Sequence, residues 1–192
     1  MSWNPLERLQ TKVTRRENRG HRVYYALHSD DLDSDMVIPE QIVLKRWRAM
    51  KSAKLDFHGC RLSPTIWRGL RSVDFECDEW EHQVSLQRAK IKEMECHVKI
   101  PPTSALRAMR AVMGPEALGR LSDLGYSMIG QERFGTPDLF LWTSRRRSGV
   151  PRFASFVEVK KPNEPVSKDQ KLMIWALKRL GANAQVLRLQ EV

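Results

Sequence analysis

Two carboxylates and a lysine occur at a spacing that restricts what this chain can fold into. Asp138 ends the segment Gly135-Thr-Pro-Asp138, and Glu158-Val-Lys160 follows twenty positions later. The run from Phe153 to Lys160 is rich in β-branched and aromatic residues, which predicts a strand whose side chains alternate between two faces. Glu158 and Lys160 are therefore expected to share a face.

A second strand is predicted at Leu139-Phe-Leu-Trp142, directly after Asp138. Pro137 biases the residue before it toward an extended conformation, so Asp138 should lie at the mouth of this strand. If the two strands pair, Asp138 and Glu158 can converge on one hard cation, because carboxylate oxygens are the ligands that Mg²⁺ takes from proteins. The peptide carbonyl of Val159 can add a further ligand.

These groups form a candidate site for phosphodiester hydrolysis. A cation held there would stabilise charge on a phosphodiester and lower the pKa of a bound water that attacks phosphorus. Lys160 would orient or deprotonate that water, or neutralise the charge that develops on phosphorus. The alternative is structural: Asp138 caps a turn, while Glu158 and Lys160 form an ion pair on an ordinary edge strand.

The segment after the second strand predicts a loop, a helix and a last strand. Two prolines in Lys161-Pro-Asn-Glu-Pro165 exclude a ladder position and a helix interior. Ser167 and Gln170 form an S-x-x-Q capping box, and Gly181 ends the helix. Gln170 can be only a cap partner or can also bond a phosphate or the metal's water. The apolar residues at helical spacing are Leu172, Trp175, Ala176 and Leu180, and the last strand is predicted from Asn183 to Leu189.

The ordered set of motifs resembles a known nuclease family. It comprises G-x-P-D-L-x-L-W, F-V-E-V-K-x-P-N, S-x-x-Q and L-x-x-L-G. This set looks like the virus-type replication-repair nuclease module (VRR-Nuc) of the PD-(D/E)xK superfamily. It is similar to the C-terminal nuclease domain of the Fanconi-associated nuclease, including the helix start after Met113-Gly-Pro-Glu116. The resemblance covers about residues 110 to 190.

The resemblance implies a fold of the α+β or α/β class. Its centre would be a PD-(D/E)xK restriction-endonuclease-like core in the order α-β-β-β-α-β, with a helical N-terminal extension. A helix is predicted at Thr103 to Val112, and the first core strand at Tyr126 to Gln131. We expect a mainly helical N-terminal region over residues 1–100, packed on a nuclease core over residues 101–192.

The resemblance also implies roles for individual residues. Asp138, Glu158 and the Val159 carbonyl would bind Mg²⁺ or Mn²⁺. Lys160 would be catalytic, and Gln170 would be a supporting catalytic-site residue. No small-molecule cofactor is implied.

One ligand of the family has no clear counterpart. Family members typically supply a glutamate from an upstream helix. In His58-Gly-Cys60, a cysteine stands where that acid is expected. Glu116 is another candidate, although it lies at a helix start, where an acid also favours the helix dipole. The upstream acid is left unassigned.

Net charge points to a polyanionic partner. The 192 residues include 33 Lys and Arg against 23 Asp and Glu, a formal charge of +10. This charge suits DNA, and binding should weaken steeply with salt. A basic segment joins the two motif strands, so its side chains are expected near the mouth of the site, where they can grip phosphates; a solvated hairpin tip is the alternative. The candidate DNA-binding residues are Arg145, Arg146, Arg147 and Lys161.

Other classes of protein fit less well. No apolar stretch approaches the roughly 18 residues needed to span a bilayer, and the first residues lack the basic and apolar regions of a secretory signal. We expect no membrane partner and a cytoplasmic location where the protein is made. Three cysteines without a C-x-x-C argue against a disulfide framework. The spacings of Cys and His match no zinc pattern.

The first hundred residues predict one short strand and several helices. The strand is Val23 to Leu27, and Pro39 opens a helix to about Lys54. A shorter helix starts at Ser63-Pro64, and Asp78 caps another. Their aromatic residues predict core packing rather than base stacking. The residues expected to face inward in the first helix are Ile42, Val43, Trp47 and Met50. In the helix after Asp78, the residues that recur at roughly helical spacing are Trp80, Val84, Ile91 and Met94.

The leading hypothesis is a divalent-metal-dependent DNA endonuclease. The resemblance alone implies that it cuts branched DNA such as flaps, splayed arms or junctions. It would act in repair or recombination, or as an antibacterial effector toxin that is restrained by an immunity protein and delivered to a target cell's cytoplasm. The alternatives are a catalytically inactive DNA-binding module of the same fold and a restriction-type endonuclease.

Overall fold

The structure contains helices and short strands around one mixed sheet. This computed structural model describes residues 4–19, 22–27, 35–63, 65–95, 98–127 and 136–192. Within these residues the strands are β1 (Lys12–Val13), β2 (Arg15–Arg19), β3 (Arg22–Ala26), β4 (Met36–Val37), β5 (Leu55–Arg61), β6 (Leu139–Arg145), β7 (Pro151–Lys160), β8 (Ala184–Arg188) and β9 (Gln190–Glu191). The helices are a 3₁₀ turn (Pro5–Arg8), α1 (Pro39–Ala49), α2 (Ile66–Leu70), α3 (Trp80–Glu93), α4 (Thr103–Met113), α5 (Pro115–Ser127) and α6 (Lys168–Arg179).

The central sheet has four strands in the order β5-β6-β7-β8. β5, β6 and β7 are antiparallel neighbours, whereas β8 runs parallel to β7. Leu139 pairs with Val157 in the register of β6 with β7. Because β6 runs away from Asp138 and β7 runs toward Glu158, the start of β6 and the end of β7 meet at the same edge of the sheet.

Both faces of the sheet are covered, which explains why β6 and β7 are nearly continuous apolar runs. Phe140 and Phe156 point into a core built from α2 to α6. Leu139 and Val157 point into a second core, which contains buried residues of α1 and of the short strands before it. Residues of even number in β7 therefore face the larger helical layer.

α1 packs directly on β5 through a buried face that includes Ile42, Val43 and Trp47, as predicted, while Met50 is half-buried. Gly59 permits the close approach. A Cβ at that position would lie 2.6 Å from Leu141 Cδ2 and 2.7 Å from Leu44 Cδ1. The helix ends at Ala49, before the predicted Lys54, because residues from Leu55 enter the sheet.

The elements around the site follow the predicted order α-β-β-β-α-β, as α1, β5, β6, β7, α6 and β8. The first strand of this order was predicted at Tyr126 to Gln131. Tyr126 and Ser127 instead belong to α5, and residues 128–131 lie outside the described part of the chain. β5 takes that place, and α2 to α5 are inserted between β5 and β6. The fold is thus a mixed α+β structure compatible with a PD-(D/E)xK-like nuclease core. The division at residue 100 stays a prediction, although the sheet draws β5 from before it.

Several local predictions also need correction. Glu79, not Asp78, precedes α3, and Met94 just after this helix is exposed. In α6 the buried residues are Met173 and Leu177. Leu172 and Trp175, at the helical spacing noted in the sequence, are instead exposed.

The predicted β3 and the capping box of α6 are confirmed, and Gly181 has a left-handed φ of 81° at the end of α6. No helix in the described ranges is long and apolar enough to cross a membrane.

Candidate active site

Asp138 lies between the ends of two strands. Its carbonyl oxygen accepts a hydrogen bond of 2.8 Å from Leu62 N, just beyond β5. Its side-chain Oδ2 accepts a hydrogen bond of 2.8 Å from Val159 N in β7. The Asp138 carboxylate therefore spans the gap that opens where β6 begins, and its Oδ1 is not used by this bond.

The carbonyl of Val159 points toward the same gap. In a strand, the backbone groups of successive residues turn to opposite neighbours. The carbonyl of Lys160 accepts a bond of 2.9 Å from Leu189 N on the β8 side. The N–H of Val159 points to Asp138 on the β6 side, so the carbonyl of Val159 shares that side.

Glu158 and Lys160 lie on one face, as the strand alternation predicts. Their side chains form an ion pair with 3.2 Å between Lys160 Nζ and Glu158 Oε1. Both residues are buried, with 4% and 5% of their surface exposed. A buried carboxylate and a buried ammonium are costly unless they are paired, so this pair restrains the geometry of the site.

Glu164, which the sequence analysis did not single out, is the second partner of Lys160. Its Oε1 lies 3.2 Å from Lys160 Nζ, and its Oε2 accepts a bond of 3.2 Å from Lys161 N. Its carbonyl oxygen accepts a bond of 2.6 Å from Arg188. Glu164 therefore fixes both the loop after β7 and the ammonium group. The signal was available, because an acid four residues after a lysine in a short turn can fold back onto it.

Gln170 is a cap partner, as predicted, and it also contacts Glu158. Its bond to a phosphate or to the metal's water stays a prediction. Its Oε1 accepts a 2.9 Å bond from Ser167 N, which completes the capping box. Its Nε2 donates to Glu158 Oε1. The first turn of α6 is thereby tied to the acidic residue of β7. Both partners of Glu158 bond the same oxygen, so its Oε2 carries neither of these contacts.

Glu40 is a further acidic residue near these groups, and it was not identified from the sequence. It lies in the first turn of α1, and its Oε2 is buried without a hydrogen-bond partner among the described residues. After burial, which is the main cause, the charge of Glu40 also contributes to the raised pKa values of Asp138 and Glu158, so Glu40 interacts electrostatically with both carboxyls. Pro39 at the first helical position marked this helix start, but the acid was sought elsewhere because β5 was not recognised.

Cys60 and Glu116, the positions named from the sequence for the upstream acid, have other surroundings. Cys60 is buried against the helical core, and burial raises the pKa of its thiol to about 12. Glu116 is exposed and pairs with Arg120 one helical turn later, at 2.6 Å. Neither side chain is a partner of Asp138 or Glu158 in the described structure.

The electrostatics of the site favour protons on its carboxylates. Burial, followed by the charge of Glu158, raises the pKa of Asp138 to about 7, against the lowering effect of the Val159 N–H. Burial likewise raises the pKa of Glu158, although Lys160 opposes it. For Lys160, burial lowers the pKa, but the bonds to Glu164 and Glu158 outweigh burial and raise it. The ammonium therefore stays charged.

The predicted basic residues separate into two places. Lys161 lines a cavity of about 240 Å³ together with Glu40, Arg61 and Arg22. The three arginines of the hairpin between β6 and β7 do not line this cavity. Asp138 and Arg145 are seven residues apart along β6, which corresponds to about 23 Å. The prediction that the hairpin lies near the mouth of the site was wrong, because β6 and β7 carry their turn to the far edge of the sheet. The arginines there are Arg145, Arg146 and Arg147, of which Arg146 pairs with Asp56 at 3.0 Å.

The acidic residues fit a hard divalent cation in their chemistry. The buried oxygen of Glu40 has no partner in the described structure, and two neighbouring carboxyls have raised pKa values. Carboxylate oxygens are the ligands that hard divalent cations take from proteins, and a buried oxygen of this kind needs a partner. Within the described residues, no three Asp, Glu, His or Cys side chains form a ready ligand cluster. Ligation therefore requires these side chains to move closer together.

Comparison with known proteins agrees with the motif analysis. The model of the VRR-NUC domain family matches residues 79–191, more than half of the chain. The matched region contains Asp138, Glu158, Lys160 and Gln170, and it excludes Glu40. No curated protein matches the chain. The match concerns the family as a whole, so the similarity to the Fanconi-associated nuclease stays a prediction. The family indicates a nuclease of the PD-(D/E)xK kind, and DNA as its substrate. The chain belongs to the VRR-NUC domain family.

Proposed function

We propose that this protein is a Mg²⁺- or Mn²⁺-dependent DNA endonuclease whose metal ligands are Glu40, Asp138, Glu158 and the Val159 carbonyl. The buried Oε2 of Glu40, which has no partner among the described residues, is the observation that supports this most strongly. After burial, the charge of Glu40 also contributes to the raised pKa values of Asp138 and Glu158. A divalent cation supplies Lewis acidity toward a phosphodiester and an activated water nucleophile. Three carboxylates and one carbonyl would supply the oxygen ligands that such a cation takes from proteins.

The remaining groups have separate roles in this proposal. Lys160 acts as a charged group, because its partners favour the ammonium form; it neutralises charge that develops on phosphorus and orients the water. It is not the base. Gln170 fixes the orientation of Glu158 through Nε2. Glu164 keeps the ammonium of Lys160 in place when Glu158 turns toward a cation.

Charge and topology support DNA as the substrate. Arg61 and Lys161 line the cavity beside Glu40, where the phosphate next to the scissile bond would lie. A net charge of +10 favours long-range attraction of a polyanion. The preference for flaps, splayed arms or junctions comes from family resemblance.

The proposal is tested by cleavage of a labelled splayed-arm duplex. We expect cutting with Mg²⁺ or Mn²⁺ and none with EDTA, with slower cutting of a flush duplex of the same sequence. Equal cleavage of both substrates would contradict the preference for branched DNA but would still support the nuclease activity. Intact protein that cuts no DNA in either metal would instead favour the inactive DNA-binding module.

A different experiment distinguishes a repair or recombination nuclease from an effector toxin. A repair or recombination nuclease should be tolerated when expressed alone in a bacterial host. An effector toxin should cause DNA damage and growth arrest under the same conditions, and co-expression of an immunity protein should relieve both. The Asp138→Ala variant is the control, because it should be harmless in either case.

A further inference from the structure

We propose that the exposed face of α6 binds an unpaired nucleic-acid strand by stacking its bases on Trp175, an inference that rests on the proposed nuclease function. Trp175 has 56% of its surface exposed, and Leu172 has 49%. Large apolar side chains in the middle of a helix are normally buried. In the described structure no element packs over this face, so its composition needs another explanation.

Four cations surround the two apolar residues. On a helix, residues three or four positions apart are neighbours. Trp175 therefore lies between Lys171 and Arg179 along the helix, and the guanidinium of Arg179 lies 5.2 Å from the centre of the Trp175 ring. The exposed side chains of this stripe are Lys168, Lys171, Leu172, Trp175, Lys178 and Arg179. Asp169 is the one acid within α6.

The combination of exposed cations with exposed apolar side chains indicates which kind of partner this face binds. A second copy of a protein with a net charge of +10 would bring cations against cations. Duplex DNA offers phosphates but hides the faces of its bases. An unpaired strand offers both phosphates for the cations and base faces for the indole, and stacking on aromatic residues is how such strands are held without sequence preference.

The location connects the stripe with the carboxylates. Gln170 in the first turn of α6 donates to Glu158. Trp175 is five residues further on, about 8 Å along the helix axis. A single-stranded arm that leaves the site along α6 would reach the indole within a few nucleotides. The face would therefore favour substrates that carry an unpaired arm.

Binding of labelled oligonucleotides to the full chain in EDTA tests this without cleavage. We expect Trp175→Ala to weaken binding of a twelve-residue thymidine strand about 5- to 100-fold, and to change binding of a matched duplex less than about twofold. Trp175→Phe should retain most of the affinity. Leu86→Ala, at an apolar residue of α3 that is also 49% exposed, is the matched control and should change neither.

Three outcomes would overturn the inference. They are unchanged single-strand binding in Trp175→Ala, an equal loss on single strand and duplex, and no single-strand binding by the wild-type protein, as expected if the face docks another protein. Because Trp175 is exposed, the variant should fold, and its circular dichroism checks this. Failure of the nuclease function is separate, since it would appear as absent cleavage in Mg²⁺ whatever the oligonucleotide affinities are.

Discussion

The carboxylate of Asp138 accepts a hydrogen bond from the backbone N–H of Val159, 2.8 Å away. This bond continues the pairing of β6 with β7 by one step, although it uses a side chain. It holds one acidic residue beside the strand end that carries Glu158 and Lys160. A strand pair with this closure presents its polar groups at one edge of the sheet, where Glu40 at the start of α1 joins them.

Replacing either motif carboxylate should remove cleavage and leave the fold intact. Asp138→Ala and Glu158→Ala each delete an oxygen ligand for the cation. Cleavage of the splayed-arm duplex in Mg²⁺ should be undetectable for both, with circular dichroism unchanged. Wild-type rates in either variant would refute the assignment of the site.

Glu40→Gln should lower the rate of cleavage by about tenfold or more, because a neutral amide binds a divalent cation more weakly than a carboxylate. Glu116→Gln is the matched control, since Glu116 is an exposed helix-start acid paired with Arg120. Its cleavage rate should stay within about twofold of the wild type. A similar loss in both variants would mean that Glu40 acts only through general stability.

Lys160→Ala should reduce kcat by about a hundredfold or more, because it removes a charge that stabilises the transition state. Glu164→Gln should reduce kcat less than this and leave KM nearly unchanged, because Lys160 remains present but loses one of its two anchors. Glu164→Asp should recover part of the rate. An effect of Glu164→Gln that is confined to KM would instead indicate a role in binding DNA.

The metal-free protein should become less stable as pH rises from about 4 to about 7. Asp138 holds its proton up to a pKa of about 7 when folded, against 3.8 as the ordinary value. Its contribution is fully present below pH 4 and is lost as pH passes 7, because the unfolded chain binds fewer protons in that interval. Urea unfolding in EDTA measures this, and Asp138→Asn should flatten the dependence. Stability of the wild type that rises across this interval relative to Asp138→Asn would contradict the raised pKa.

Replacing the three hairpin arginines by Ser should leave kcat unchanged, because Arg145 lies about 23 Å from Asp138 along β6. Any effect of the replacement should appear as a higher KM, and the difference from the wild type should become smaller with added salt. A fall in kcat with an unchanged KM would place these arginines at the reaction centre and contradict the topology.

Local patterns sufficed for the part of the site that lies on consecutive elements. Proline before Asp138, the alternation in β7 and the capping box at Ser167 each depend on neighbours in sequence, and each predicts a feature of the structure. The position of Glu40 depends on α1 packing over β5. That contact joins segments about a hundred residues from the motifs, so spacing could not reveal it.

Two other differences between the prediction and the structure, in β5 and in α6, also arise from contacts between segments that are distant in sequence. β5 contains Gly59 and alternates weakly between polar and apolar residues, so its strand character comes from pairing with β6 rather than from propensity. In α6, Met173 and Leu177 face the core while Trp175 faces outward. Apolar spacing alone allows either stripe to be buried, and the layer packed against the helix decides.

Isothermal titration calorimetry of the purified protein with Mn²⁺ tests the central claim most directly. The wild type should bind the cation saturably and release protons as it does so, because carboxyls with raised pKa values must ionise to become ligands. Asp138→Asn and Glu158→Gln should lose this binding, whereas Glu116→Gln should keep it. Unchanged Mn²⁺ affinity in Asp138→Asn and Glu158→Gln would contradict a metal site built from these carboxylates.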